Sequence, residues 1–86
     1  MPRISEFLGI VIRMHYEDHA PPHFHAQYAE FSAAITISAR QVLKGLLPPR
    51  VLALVVEWAG LHERELNLNW DLARSRQPLN RIEPLV

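Results

Sequence analysis

Residues 15–28, HYEDHAPPHFHAQY, gather four of the chain's five histidines with two acids and a Pro-Pro pair. Near neutral pH an imidazole can ligate a transition metal, exchange protons around its ordinary pKa of about 6.5, or donate hydrogen bonds that pin a loop. Two histidines spaced H-x-H on a strand, joined by a third from a loop, can hold zinc and leave a fourth position to water. His23 and His25 have that spacing, and His15, His19 and Asp18 stand close enough in the chain to complete the set. Zn or another divalent transition metal is therefore one expected occupant. Without a metal, His23 or His25 would serve as general acid or base, Arg13 would face a phosphate, and Tyr28 or Tyr16 would assist. A third reading is structural: the rings stack on Pro21, Pro22 and neighbouring aromatics and pin the loop. The residues alone leave these three open. Other site chemistry finds no support, since there is no Ser or Cys nucleophile with an evident partner, no Gly-rich phosphate loop and no H-E-x-x-H helix.

The elements around this stretch set its geometry. In FLGIVIRM, alternate residues Leu8, Ile10, Ile12 and Met14 are apolar, the pattern of a strand with one buried face. Pro21 and Pro22 enforce an extended connection. HFHAQYAEF then alternates again, with His23, His25 and Gln27 on one side and Phe24, Ala26 and Tyr28 on the other. AAITIS groups Ala33, Ile35 and Ile37, and QVLKGLL reads as a short edge strand before Pro48-Pro49. From Pro49 the period becomes helical: Leu52, Val56, Ala59, Leu66, Trp70 and Ala73 form one stripe, with Leu54, Trp58, Leu61, Leu68 and Leu72 beside it. His62 reads as a helix histidine paired with a neighbouring acid. The expected fold is α+β in a single domain, 1–86. An antiparallel sheet of three to four strands (residues 7–47) packs on one long or bent helix, about 49–76.

That helix would be about 42 Å long if unbroken. A chain of 86 residues is only about 30 Å across, so the helix must either bend near Gly60 or overhang. Its two apolar stripes exceed what one small sheet covers, which predicts a homodimer with Trp70, Leu66 and Trp58 at the contact. Leu79, Ile82 and Leu85 of the tail are spaced to fold back onto the helix.

Composition narrows the function classes. The chain has no cysteine, which excludes disulfides and thiolate metal sites. MPRISEF has two charges and no export-length apolar run behind it, and no run approaches the roughly 20 residues of a membrane span, so a cytoplasmic protein is expected. Nine basic residues balance nine acidic ones. The balance holds in each half of the chain, and the one local cluster, Arg74, Arg76 and Arg81, suits the end of a helix.

The strings GIVIRMHYEDHAPPHFHAQY, LALVVEWAGLHERELNLNWDLA and RIEPL together resemble the small bacterial family called domain of unknown function 4160. The D-H-x-P-P-H-F-H-A-x-Y motif, Asp18 to Tyr28 here, is specific to that resemblance. It implies a stand-alone cytoplasmic protein encoded beside a second small partner protein, in an arrangement like that of toxin–antitoxin pairs. Gly60 departs from the uninterrupted helix the resemblance implies. Two functions follow as expectations. The first is a binding or interaction module with a His-rich site on one sheet face. The alternative is a ribonuclease-like toxin using His as general acid and base. Neutral charge weighs against the second, because nucleic-acid affinity comes mostly from phosphate neutralisation. Generic RNA and DNA should therefore bind weakly at physiological salt, and tight, steeply salt-dependent binding in a filter or anisotropy assay would overturn that expectation.

Overall fold

Two consecutive left-handed residues, Leu8 at φ 51° and Gly9 at φ 79°, turn the N-terminal apolar run back on itself in the computed structural model, which describes residues 2–86. Positive φ at both central positions is the signature of a tight hairpin turn whose twist matches its strands. The hairpin joins β1 (Arg3–Phe7) to β2 (Ile10–Arg13). Leu8, expected in the buried row with Ile10, Ile12 and Met14, therefore lies at the turn tip and is 55% exposed. The expected single strand across this region is two strands.

The sheet continues through β3 (His23–Tyr28), β4 (Phe31–Thr36) and β5 (Val42–Leu46), antiparallel throughout in the order β1-β2-β3-β4-β5. Five strands thus replace the expected three to four, and the added one is β1. Period-2 alternation holds where it was expected: Phe24, Ala26, Ala33 and Ile35 are buried with Ile10 and Ile12 in one core. Gly45 is tied to that close packing. Its φ is 87°, and a Cβ there would stand 2.2 Å from the Ser32 carbonyl oxygen, so no side chain fits.

One helix was expected over 49–76; there are two, α1 (Pro49–Leu61) and α2 (Glu63–Arg74). The break falls at His62, whose backbone leaves the helical region at φ −123° and ψ 27°. Its N–H reaches the carbonyls of both Trp58 and Ala59 at 3.2 Å, and its Nδ1–H donates to Glu65 Oε1 at 2.6 Å. The expected acid partner is thus present, although the residue sits at a junction instead of inside a helix. The break lies two residues from Gly60, near which a bend was expected; Gly60 itself stays helical within α1. The longest extent of the molecule is 33 Å, too short for an unbroken helix of about 42 Å.

The break also changes which residues are covered. α1 buries Val51, Val55, Trp58 and Ala59, and α2 buries Leu66, Asn69, Trp70 and Ala73. Leu52 and Val56 are only half-buried, and Leu61 and Leu68 are exposed, so the two uninterrupted stripes do not describe the packing. Trp58, Leu66 and Trp70, expected at a dimer contact, are 0%, 0% and 5% exposed within their own chain. Their own chain covers them: Trp58 meets Phe7, Phe24, His62 and the tail at Glu83, and Trp70 lies against His23.

The tail beyond α2 has no regular structure but is tied down. Ile82 is buried and its N–H donates to the Ile4 carbonyl, while Leu79 and Leu85 pack on the core, as their spacing suggested. Buried Asn69 donates to the Asn80 carbonyl and accepts the Asn80 N–H, both at 2.9 Å.

An ideal Cβ at Gly60 would meet nothing nearer than Arg40 Nε at 3.7 Å, an ordinary contact. Because Gly in a helix interior is about 0.5–1 kcal/mol worse than Ala, Gly60→Ala should raise the melting temperature by a few degrees. A fall in melting temperature would instead place the hinge at Gly60.

Candidate functional site

Asp18 comes from the connection between β2 and β3, and its Oδ2 is the point on which the histidines converge. His25, mid-strand in β3, donates from Nε2 to that oxygen at 2.8 Å. His23, two residues earlier and on the same face, directs its Nε2 to the same oxygen at 3.2 Å. The other nitrogen of His23, Nδ1, lies 2.8 Å from the Pro21 carbonyl. A carbonyl only accepts, so the Nδ1 proton is fixed there. A neutral His23 would then face a carboxylate lone pair with its own lone pair, which is repulsive. A proton or a metal cation between Nε2 and Oδ2 removes the conflict.

His15, just beyond β2, packs against His25 with ring centroids 3.9 Å apart and the rings tilted by 57°. Ligand atoms of His15, Asp18 and His25 all lie within 4.8 Å of one another. Partial burial, then the neighbouring charge of His25, hold His15 below its ordinary pKa of 6.5, with Asp18 pulling the other way. Partial burial pushes the Asp18 carboxyl up. The His25 hydrogen bond and the charges of His25, His23 and His15 outweigh that and leave it below its ordinary 3.8.

Of the residues expected at the site, His15, Asp18, His23 and His25 come together. Arg13 joins them, since it pairs with His25 in the β2–β3 register and lines the same cleft of about 390 Å³. His19 does not: it is exposed and stands outside the group of ligand atoms, on a cavity that it shares with Asp18, Tyr16, Glu17 and Arg74. Tyr28 does not either, because strand alternation sends it to the core side, where it packs half-buried. His23 is only 8% exposed and its ring lies 5.4 Å from that of Trp70. It thus belongs to the packing as well as to the site.

Lys44, Gln27 and Ser32 were missed as site residues. Gln27 was legible as a neighbour on the His25 face. Lys44 and Ser32 arrive through the β3–β4 and β4–β5 registers, which strand alternation within one segment does not reveal. Trp70 arrives through the break at His62, which restarts the helix on a new course.

The profile of the family described as domain of unknown function (DUF4160) matches residues 9–71, well over half of the chain, and the protein belongs to that family. Searches of curated proteins and of solved structures find no significant match.

The lowered His15 pKa carries a sign for stability. A group depressed in the folded state favours the fold in its neutral form, so the His15 contribution is complete above 6.5 and is lost as pH falls through the folded value. Asp18 adds a further loss at lower pH, beginning near its ordinary 3.8. Histidine-resolved NMR titration should give His15 a midpoint below 6.5. It should fall further in Asp18→Asn, because the carboxylate supports the imidazolium; a rise in that variant would contradict the assignment.

Proposed function

We propose that this DUF4160 member is a binding module whose histidine–aspartate cluster holds a divalent transition metal, with zinc the best-suited ion. The observation that carries this reading is the convergence of His15, Asp18 and His25 ligand atoms within 4.8 Å, with His23 Nε2 facing the same carboxylate oxygen. Imidazole and carboxylate are donors zinc accepts in open sites that keep a position for water or a ligand. The His23 Nδ1–H bond to a backbone carbonyl is the outer bond that a ligating histidine commonly makes to fix its tautomer. Partial exposure of His25 and Asp18 leaves the cluster reachable from solvent. The likeness to two-gene, toxin–antitoxin-like modules extends the reading to a cytoplasmic protein that engages a small partner. Among the described residues, no helix is long and apolar enough to cross a membrane.

A second reading, a ribonuclease-like toxin, has one observation in its favour. The His25–Asp18 hydrogen bond orients a base beside Arg13, its register neighbour. Neutral overall charge argues against a polymeric RNA substrate. RNA cleavage by chelator-treated protein, lost in His25→Ala, would favour this reading over the first.

Protein purified without a His tag should retain about one zinc or similar ion per chain by mass spectrometry. Asp18→Ala and His25→Ala should lose it, and His19→Ala should keep it. A chelator should lower the melting temperature, since an ion at a hundred times its Kd adds about 2.7 kcal/mol. Metal-free protein that stays metal-free on incubation with zinc would overturn the proposal.

A further inference from the structure

Arg13 pairs with His25 across β2–β3, His25 with Ala34 across β3–β4, and Ala34 with Lys44 across β4–β5. Directly paired residues share a face, so these four form one row across the side of the sheet away from the core. Gln27 and Ser32 pair in the adjacent row. The cleft of about 390 Å³ beside Arg13, His15, His25 and Gln27 is followed by one of about 250 Å³ beside Ala34, Lys44 and Gly45. His25 and Ser32 line both, so the two are halves of one trough, and the small Ala34 keeps its floor low. Together they reach the size of a small-molecule site.

The walls of this trough carry cations only, with the Asp18 carboxylate held by His25 and outside both halves. Among the described residues no Asp or Glu lines either half. Arg3, Arg40 and Arg76 are paired with acids, while Arg13 and Lys44 are, like Arg50, Arg64, Arg74 and Arg81, in no ion pair among the described residues. The Arg13 guanidinium instead donates to the amide oxygen of Gln27 at 2.9 Å. That bond orients the fork without cancelling its charge. An oriented, uncompensated guanidinium beside imidazoles, a hydroxyl and a second cation is suited to a tetrahedral oxyanion. A chain of zero net charge thus carries a locally positive trough built from residues 31 positions apart in sequence.

We propose that the trough binds the phosphate of a small phosphomonoester. Arg13 takes two phosphate oxygens, Lys44 approaches from the opposite wall, and the phosphate lies over His25. The inference rests on the proposed metal site only in placing the phosphate beside that ion. Two free cations match one phosphate dianion, whereas a nucleic-acid strand gains affinity from many neutralised phosphates.

Titration of isotope-labelled full chain with inorganic phosphate and with adenosine 5′-monophosphate, followed by NMR, tests this. Saturable shifts should centre on Arg13, Gln27, Ser32 and Lys44, and acetate should produce none. Arg13→Gln should weaken binding at least tenfold. Arg13→Lys should weaken it several-fold because a point charge replaces a fork, and Lys44→Gln should also weaken it several-fold. Arg50→Gln, on the exposed start of α1, should bind as the parent does. Parent-like binding by Arg13→Gln in a well-dispersed spectrum, equal binding of acetate, or tighter and steeply salt-dependent binding of an RNA oligomer would each overturn the proposal. Metal content measured on the same samples separates the two readings. Protein that stays metal-free on incubation with zinc but binds phosphate through Arg13 would overturn the metal reading alone, and metal-loaded protein without phosphate binding would overturn this one alone.

Discussion

The indole of Trp58 is the contact on which the rest of the arrangement depends. It is fully buried, with Phe7 of β1 at 5.6 Å, Phe24 of β3 at 5.8 Å and the His62 ring at 5.6 Å between ring centroids. A buried indole N–H needs an acceptor, and here the Glu83 carbonyl supplies it at 2.8 Å. One side chain thus joins two strands, the helix break and the tail. A small domain has little apolar surface to bury, so such a shared anchor weighs heavily in its stability. With α1 held against the sheet and the chain turned at His62, α2 brings Trp70 against His23. The site's geometry follows from that packing at one remove.

The Asp18 carboxylate joins an imposed tautomer to an unfinished electrostatic arrangement. The Pro21 carbonyl decides which nitrogen of His23 carries a proton, and strand alternation decides that His25 meets the same oxygen. The histidines lower the Asp18 pKa while crowding lowers that of His15. An ionised carboxylate set against an imidazole held towards its neutral form is an arrangement that a bound cation would relieve.

Much of this was legible in the sequence because it depends on short periods. Alternation in residues 23–28 and 33–37 correctly separated Phe24, Ala26 and Ile35 from His23 and His25. The hairpin at Leu8-Gly9 was hidden because the apolar alternation runs straight through it, and only backbone angles show the reversal. A bend near Gly60 was legible from the helix length, but the residue at which it falls was not. Gly60 is the residue that propensity singles out, yet tertiary packing and the hydrogen bonds of His62 put the interruption two residues later. Trp58, Leu66 and Trp70, expected at an interface, are instead buried within the chain, because the sheet, the break at His62 and the tail cover side chains that a single straight helix would have left open. Asp18 was among the candidates, but its central place depends on loop closure, and the position of Lys44 depends on two strand registers.

The position of Lys44 has a consequence for how the molecule keeps to itself. β5 is the last strand of the sheet, is exposed along its whole length, and carries Leu43 and Leu46 in the open. An unpaired strand edge with exposed aliphatic side chains is a template for adding strands from other copies, the first step towards a fibril. A lysine at the middle of that strand and a register irregularity opposite residues 34–35 are devices that make such addition unfavourable. Lys44 therefore serves solubility through the same charge that it presents to the trough. Selection at this position would answer to aggregation as well as to any ligand.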